Sequence, residues 1–255
     1  MAAQDPNGSL TTIIQNNIAT VEFGHPASNS LPRALLDSLT VEINALGANN
    51  AVSLIVLKSK GIAAFCGGAS FDELLVVTNQ EEGLEFFSGF AHVINAMRKC
   101  SKLIIGRIHG KAVGGGVGIA AACDYVFATT NAAIKLSELA IGIGPFVIEP
   151  AVSRKIGKTA MTEMTLAAHE WKSAEWAHEK GLYASVVATT ELLDSTIAEF
   201  SSKLASYNSE ALVEMKRVIW EGTDNWDSLL LERAAITGQL VLSDFTKKAL
   251  TQFKK

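Results

Sequence analysis

Residues 110–125 read GKAVGGGVGIAAACDY: three consecutive glycines, Gly114, Gly115 and Gly116, then a fourth, Gly118, at the entrance to an alanine-rich stretch. The triplet lets backbone approach a ligand closely, whereas Gly118 stands where a helix starts and costs ~1 kcal/mol there relative to alanine. Upstream, SKLIIGRIHG (101–110) is an apolar run of strand length, and downstream YVFAT (125–129) is another. The glycines therefore mark a passage from strand through turn and helix to the next strand.

The same passage occurs earlier, in AVSLIVLKSKGIAAFCGGASFDEL (51–74): a buried strand, a turn of small residues and a helix start. Residues 33–45 place Leu35, Leu36, Leu39, Val41 and Ile43 at mostly helical spacing, and 83–100 form an amphipathic helix. TTIIQNNIATVEF (11–23) reads as a hairpin turning at Asn16-Asn17, a pair that tolerates positive φ. Helices alternating with strands predict an α/β fold. From Pro150 onward the spacing turns helical, over 151–157, 160–168, 173–181, 192–206 and 210–220, with no linker rich in proline, glycine and serine.

With 255 residues, 48% hydrophobic, 19% charged and a net charge of −4, the chain can bury one large core. The acidic balance gives no electrostatic footprint for nucleic acid or an anionic membrane, so a small-molecule substrate is expected. Cys66, Cys100 and Cys123 are odd in number and lack CxxC spacing, which argues against disulfides and a zinc site and for a reducing cytoplasm. MAAQDPNGSL (1–10) has no basic region before an apolar core, and no apolar run approaches the ~18 residues that span a bilayer, so neither leader nor membrane anchor is expected.

Both small-residue turns leave backbone N–H groups without partners at the positive end of the following helix, and two such ends can share one anion. A thioester carbonyl that becomes an enolate when its α-proton leaves needs a convergent pair of N–H donors. Read alone, the glycines are equally ordinary tight turns. A phosphate loop is excluded, because GRIHGKA (106–112) has one residue too few before Gly110-Lys111 and an alanine where the magnesium-binding hydroxyl belongs. A dinucleotide fingerprint also fails, since no GxGxxG registers on Gly114 or Gly116.

Together, AFCGGASFDEL (64–74), IHGKAVGGGVGIAAACDYVFAT (108–129) and LSELAIGIGP (136–145) resemble the crotonase, or enoyl-CoA hydratase/isomerase, superfamily. The resemblance covers nearly the whole chain, from FGHPASNSL (23–31) to EWAHEKGLYASVV (175–187). It implies a spiral of ββα units over residues 1–195, a C-terminal helical trimerisation region over 196–255, and a homotrimer or hexamer. It also implies an acyl-CoA thioester substrate, with coenzyme A entering as part of the substrate and no separate cofactor. The implied oxyanion hole takes its donors from the backbone N–H groups of Cys66 and Gly115, with Ala64, Gly68, Ala69 and Gly114 flanking the thioester. Lys216 resembles a late lysine that helps bind the coenzyme; its other reading is a solvated helix face.

The resemblance also gives Gly118 a meaning. Hydratases of the superfamily carry a glutamate two residues after the third glycine, where this chain has Gly118, and a second glutamate at the position matched by Glu138. Hydration must position and deprotonate water while a proton reaches the α carbon, work shared between two carboxylates. Moving a double bond from the 3,4 to the 2,3 position needs only one. The expectation is a single-glutamate isomerase working through Glu138, whose apolar surroundings LAIGIG (139–144) raise its pKa.

Two alternatives stay open: an enoyl-CoA hydratase in which Glu149 supplies the second carboxylate, and a non-catalytic acyl-CoA-binding module. Glu149 precedes Pro150 and equally reads as a negative charge at a helix start. Without the resemblance, Ser137-Glu138 reads as a solvated turn. His109 reads as structural; His25, His92, His169 and His178 make no H-x-x-x-H pair, and no metal is expected. Cys66 has no identifiable partner to activate it as a nucleophile. Asp72 and Glu73 read as early-helix charges, and residues 85–97 line either an acyl pocket or the core.

Overall fold

Asn16 and Asn17 hold φ of 51° and 63°, closing a two-residue hairpin between the antiparallel strands β1 (Ser9–Gln15) and β2 (Ile18–Gly24). The structure is a computed structural model and describes residues 7–253. Residues 1–6, the start of the segment expected to carry no leader, and 254–255 lie outside the described residues.

After α1 (Arg33–Ala48) the chain winds through three similar units. The first is β3 (Leu54–Ser59), β4 (Ala64–Cys66), then α2 (Phe71–Val76) and α3 (Gln80–Lys99); the second is β5 (Leu103–Ile108), β6 (Lys111–Val113) and α4 (Gly115–Ala122). The third is β7 (Tyr125–Thr129), β8 (Ile134–Lys135), a 3-10 helix (Glu138–Ile141) and α5 (Glu149–Leu166). In each unit the first strand joins a six-stranded sheet ordered β1-β2-β3-β5-β7-β9 and the second joins a three-stranded sheet ordered β4-β6-β8, with β9 being Ser185–Val187 after α6 (Ala174–Glu179). All pairings except β1 with β2 are parallel. This is the expected spiral of ββα units. None of the three short strands of this second sheet was expected as a strand from the sequence.

The large sheet is covered on both faces, which is why β3 and β5 read as largely apolar runs. One face packs against α1, α3, α4 and α5, including Leu36, Leu39, Ile94, Met97 and Val152. The other meets α7 (Thr190–Ala205) through Leu54, Val56, Ile105, Phe127, Leu193 and Ile197. Residue 195, the expected end of the spiral core, falls inside α7, which covers this face of the sheet. α8 (Ser209–Ile219), α9 (Trp226–Leu240) and α10 (Asp244–Phe253) follow. α9 lies against α3 at a crossing where Gly83 meets Gly238, a Cβ on Gly83 lying 2.6 Å from the Gly238 carbonyl oxygen. The helical segments expected over 151–157 and 160–168 are the two arms of α5, broken at Gly157, whose φ is 76°.

Candidate active site

Gly114 ends β6 and caps α4 with φ 52° and ψ −119°, a conformation that favours glycine, while its N–H donates to Lys135 O at 2.9 Å. Gly115 is the first residue of α4, so its N–H has no partner within the helix. The loop after β4 lies directly against this turn. A Cβ on Gly68 would sit 2.9 Å from Val113 O and 3.7 Å from Gly115 N, and one on Gly116 would sit 2.7 Å from Cys66 Cβ and 2.8 Å from Cys66 O. The segments holding the two expected oxyanion donors, Cys66 and Gly115, are thus in van der Waals contact, and small residues make the contact possible. Ala64 and Ala69 frame the loop: Ala64 O accepts from Asn29 Nδ2 at 2.8 Å, and Ala69 bridges to Leu31.

Glu138 opens the 3-10 helix and turns its side chain onto the glycine turn, where a Cβ on Gly114 would lie 2.8 Å from Oε1. The residue is partly exposed, yet its Oε2 is buried with no hydrogen-bond partner. Burial pushes the carboxyl up to about 7, opposed by backbone hydrogen bonds of Glu138 and Ser137. A solvated turn is therefore not what this residue forms. Phe245 and Thr246 of α10 pack on Gly142, closing the C-terminal helix over the 3-10 helix.

Gly118, one turn into α4, faces Ile148: a Cβ there would lie 2.6 Å from Ile148 Cβ and closer still to its Cγ2. The space a side chain at 118 would enter is filled by hydrocarbon. Phe90 of α3 does the same at Gly115, its Cζ 2.6 Å from where a Cβ would be. Of residues 85–97, Phe86, Phe87 and Phe90 are buried in the core, and Phe90 also forms part of this wall.

A family model described as enoyl-CoA hydratase/isomerase matches residues 13–253. The chain belongs to the enoyl-CoA hydratase/isomerase family. It is 29% identical over 214 residues to a "Probable enoyl-CoA hydratase" of Rhizobium meliloti, covering 83% of this chain and 80% of that one. It is 28% identical over 242 residues to a "Short-chain-enoyl-CoA hydratase" of Clostridium acetobutylicum, covering 94% and 92%. The solved enoyl-CoA hydratase of Bacillus halodurans has the same fold, with a TM-score of 0.87 at 22% identity over 95% of this chain and 99% of that one. This family member is thus an acyl-CoA enzyme with the crotonase fold.

Within the enoyl-CoA hydratase/isomerase frame, Glu149, Lys216 and His109 each have partners inside the protein. Glu149 begins α5, and its Oε1 accepts from Ser153 Oγ at 2.6 Å and pairs with Lys158 Nζ at 3.4 Å, as a helix-start charge does. Lys216 fits neither reading made of it. It is 2% exposed, and its Nζ donates to Met97 O at 2.9 Å and to Asp124 at 2.9 and 2.7 Å, so its donors are consumed inside the protein. Asp124 also accepts from Trp220 Nε1 and Ile104 N, both at 2.7 Å. His109 is buried beside Arg107, and burial and that guanidinium hold it down at about 4.

The Cys66 thiol is pushed up to about 12 by burial, so it is un-ionised at neutral pH. Asp72 and Glu73 do open a helix, and Glu73 additionally reaches across to accept from Arg33 N at 2.8 Å, capping α1. Among the described residues no three His, Cys, Asp or Glu side chains converge as a metal site, and no helix is long and apolar enough to cross a membrane. Sequence reasoning missed Asn29. At φ 54° it accepts from His25 N at 3.0 Å and donates to Lys60 O and Ala64 O at 2.8 Å each, pinning the loop 23–31 to β4. An asparagine in a turn-rich loop was the available signal.

Proposed function

We propose that this enzyme moves the double bond of a 3-enoyl-CoA to the 2,3 position, with Glu138 as its single acid–base group. The observation that carries this reading is the Glu138 carboxylate against the glycine turn, its Oε2 buried and without a partner, one helical turn from a Gly118 whose space is taken by Ile148. The Glu138 carboxylate removes a proton from C2, the electron pair delocalises into the carbonyl, and the backbone N–H groups of Cys66 and Gly115 hold the dienolate oxygen. The resulting carboxylic acid delivers the proton to C4. The carbonyl re-forms, the double bond lies between C2 and C3, and the carboxylate is regenerated. A pKa of about 7 leaves the base available at neutral pH and its acid form a competent donor. Ala64, Gly68, Ala69 and Gly114 flank the thioester, and coenzyme A is needed only as part of the substrate.

Hydration of a 2-enoyl-CoA is the second reading, favoured by the names of the Rhizobium and Clostridium relatives. It needs a second carboxylate, and Glu149 is engaged by Ser153 and Lys158. A module that binds acyl-CoA without turnover is the third. Assembly into a trimer through the C-terminal helices belongs to the same proposal, supported by the exposed Leu231, Ile236, Leu240 and Phe245 on α9 and α10. Adding the protein to a medium-chain 3-enoyl-CoA raises the ultraviolet absorbance of the conjugated thioester, and Glu138→Gln abolishes the rise. Hydration of a 2-enoyl-CoA that survives Glu138→Gln refutes the proposal; binding with no turnover supports the module.

A further inference from the structure

We infer that Ile148 is a specificity-determining residue that closes the Glu138 site to hydration by occupying the space beside Gly118. The inference rests on Glu138 as the acid–base group, and its packing half stands independently. Gly114 and Gly118 lie one turn apart on α4, joined by the Gly118 N–H to the Gly114 carbonyl at 3.3 Å. Both present bare α-carbons. The first is covered by the Glu138 carboxylate and the second by the Ile148 side chain, so a charged group and a branched hydrocarbon are stacked along successive turns of one helix.

Ile148 is 3% exposed and immediately precedes α5, which fixes its backbone. No side chain at 118 coexists with it: a Cβ there would be 2.6 Å from Ile148 Cβ, inside the closest approach of two carbons. The converse holds as well, since Ile148 has its present volume only because residue 118 is glycine. A water held for attack needs about two to four polar partners. Ile148 offers none on this side of Glu138, and its bulk denies position 118 to any residue that could.

The geometry also dictates which change opens the site. Ile148→Ala keeps the Cβ that collides, so it does not make room at 118. Ile148→Gly removes both offending atoms, and glycine is well tolerated at a position preceding a helix.

The first test reads packing through melting temperatures of the wild type, Gly118→Ala, Ile148→Gly and the double variant. Gly118→Ala lowers the melting temperature by several degrees in the wild type and by less than half as much in the Ile148→Gly background. Equal losses in the two backgrounds overturn the inference, whatever reaction Glu138 performs. The second test reads hydration of a 2-enoyl-CoA. Gly118→Glu with Ile148→Gly hydrates at least about tenfold faster than the wild type, while Gly118→Glu alone does not. Ile148→Thr keeps a Cβ and a Cγ2 where they collide at 118, so it leaves hydration at the wild-type level. An unchanged hydration rate in folded Gly118→Glu with Ile148→Gly overturns the specificity role. A packing cycle that behaves as described, combined with isomerisation unaffected by Glu138→Gln, sinks the Glu138 reading and leaves the packing of Ile148 standing.

Discussion

Replacing Glu138 by glutamine should stabilise the protein progressively, relative to wild type, as the pH rises. Burial lifts this carboxyl from 4.5 to about 7 in the folded chain. Between those values the folded state keeps a proton that the unfolded state has released. The group's contribution to stability is therefore fully present below 4.5 and is lost as the pH rises through about 7. The complete separation corresponds to about 3 kcal/mol, most of which falls between about pH 5 and about pH 8. Glutamine cannot ionise, and the cost of burying its amide does not change with pH. The difference in unfolding free energy between Glu138→Gln and wild type should thus move by about 2–3 kcal/mol in the variant's favour over that window, or ~5–10 °C in melting temperature for a chain of this size. Every other titrating group, His109 included, is common to both proteins and cancels. Urea unfolding at the two pH values is the assay, and a difference that stays constant across them would refute a buried, proton-holding Glu138.

Other expectations follow from the same geometry. Lys216→Met leaves Asp124 without its buried cation and should destabilise by ~3 kcal/mol, or ~6–12 °C by calorimetry, with the added change Asp124→Asn recovering part of the loss. Gly115→Ala sets a Cβ 2.6 Å from Phe90 Cζ and displaces the proposed oxyanion donor; turnover should fall by about 100-fold or more, with circular dichroism confirming that the variant folds. His109, held at about 4 against an ordinary 6.5, contributes stability that is lost as the pH falls between those values. Its imidazole resonances should stay fixed in an NMR titration from about pH 8 to about pH 5. If the exposed apolar residues of α9 and α10 form an interface, Leu231→Glu with Ile236→Glu should reduce the mass measured by light scattering; an unchanged mass removes that face from the assembly.

What the sequence revealed and what it hid divide along physical lines. The Asn16-Asn17 hairpin was legible because positive φ restricts the residues that a two-residue turn accepts, and the long strands because burial on both faces leaves largely apolar runs. Gly118 and Glu138 stood out because the missing side chain and the retained carboxylate fall within one set of motifs. The strands β4, β6 and β8 were invisible, since segments of two or three residues are too short to display a period. Lys216 read as a coenzyme contact or a solvated face because its partner, Asp124, is 92 positions away in the chain. Ile148 carries no local signal at all: its role exists only where α4 and α5 meet.

Transfer of label from C2 to C4 within one substrate molecule tests the single-carboxylate claim most directly. A 3-enoyl-CoA deuterated at C2 is turned over in ordinary water and the product is examined by mass spectrometry and NMR. Because Glu138 Oε2 is buried and has no hydrogen-bond partner, the proton it takes should be returned before it exchanges. Deuterium at C4 of the 2-enoyl product, with no turnover in Glu138→Gln, is the predicted result; product carrying only solvent hydrogen at C4, or a hydrated product alone, would contradict it.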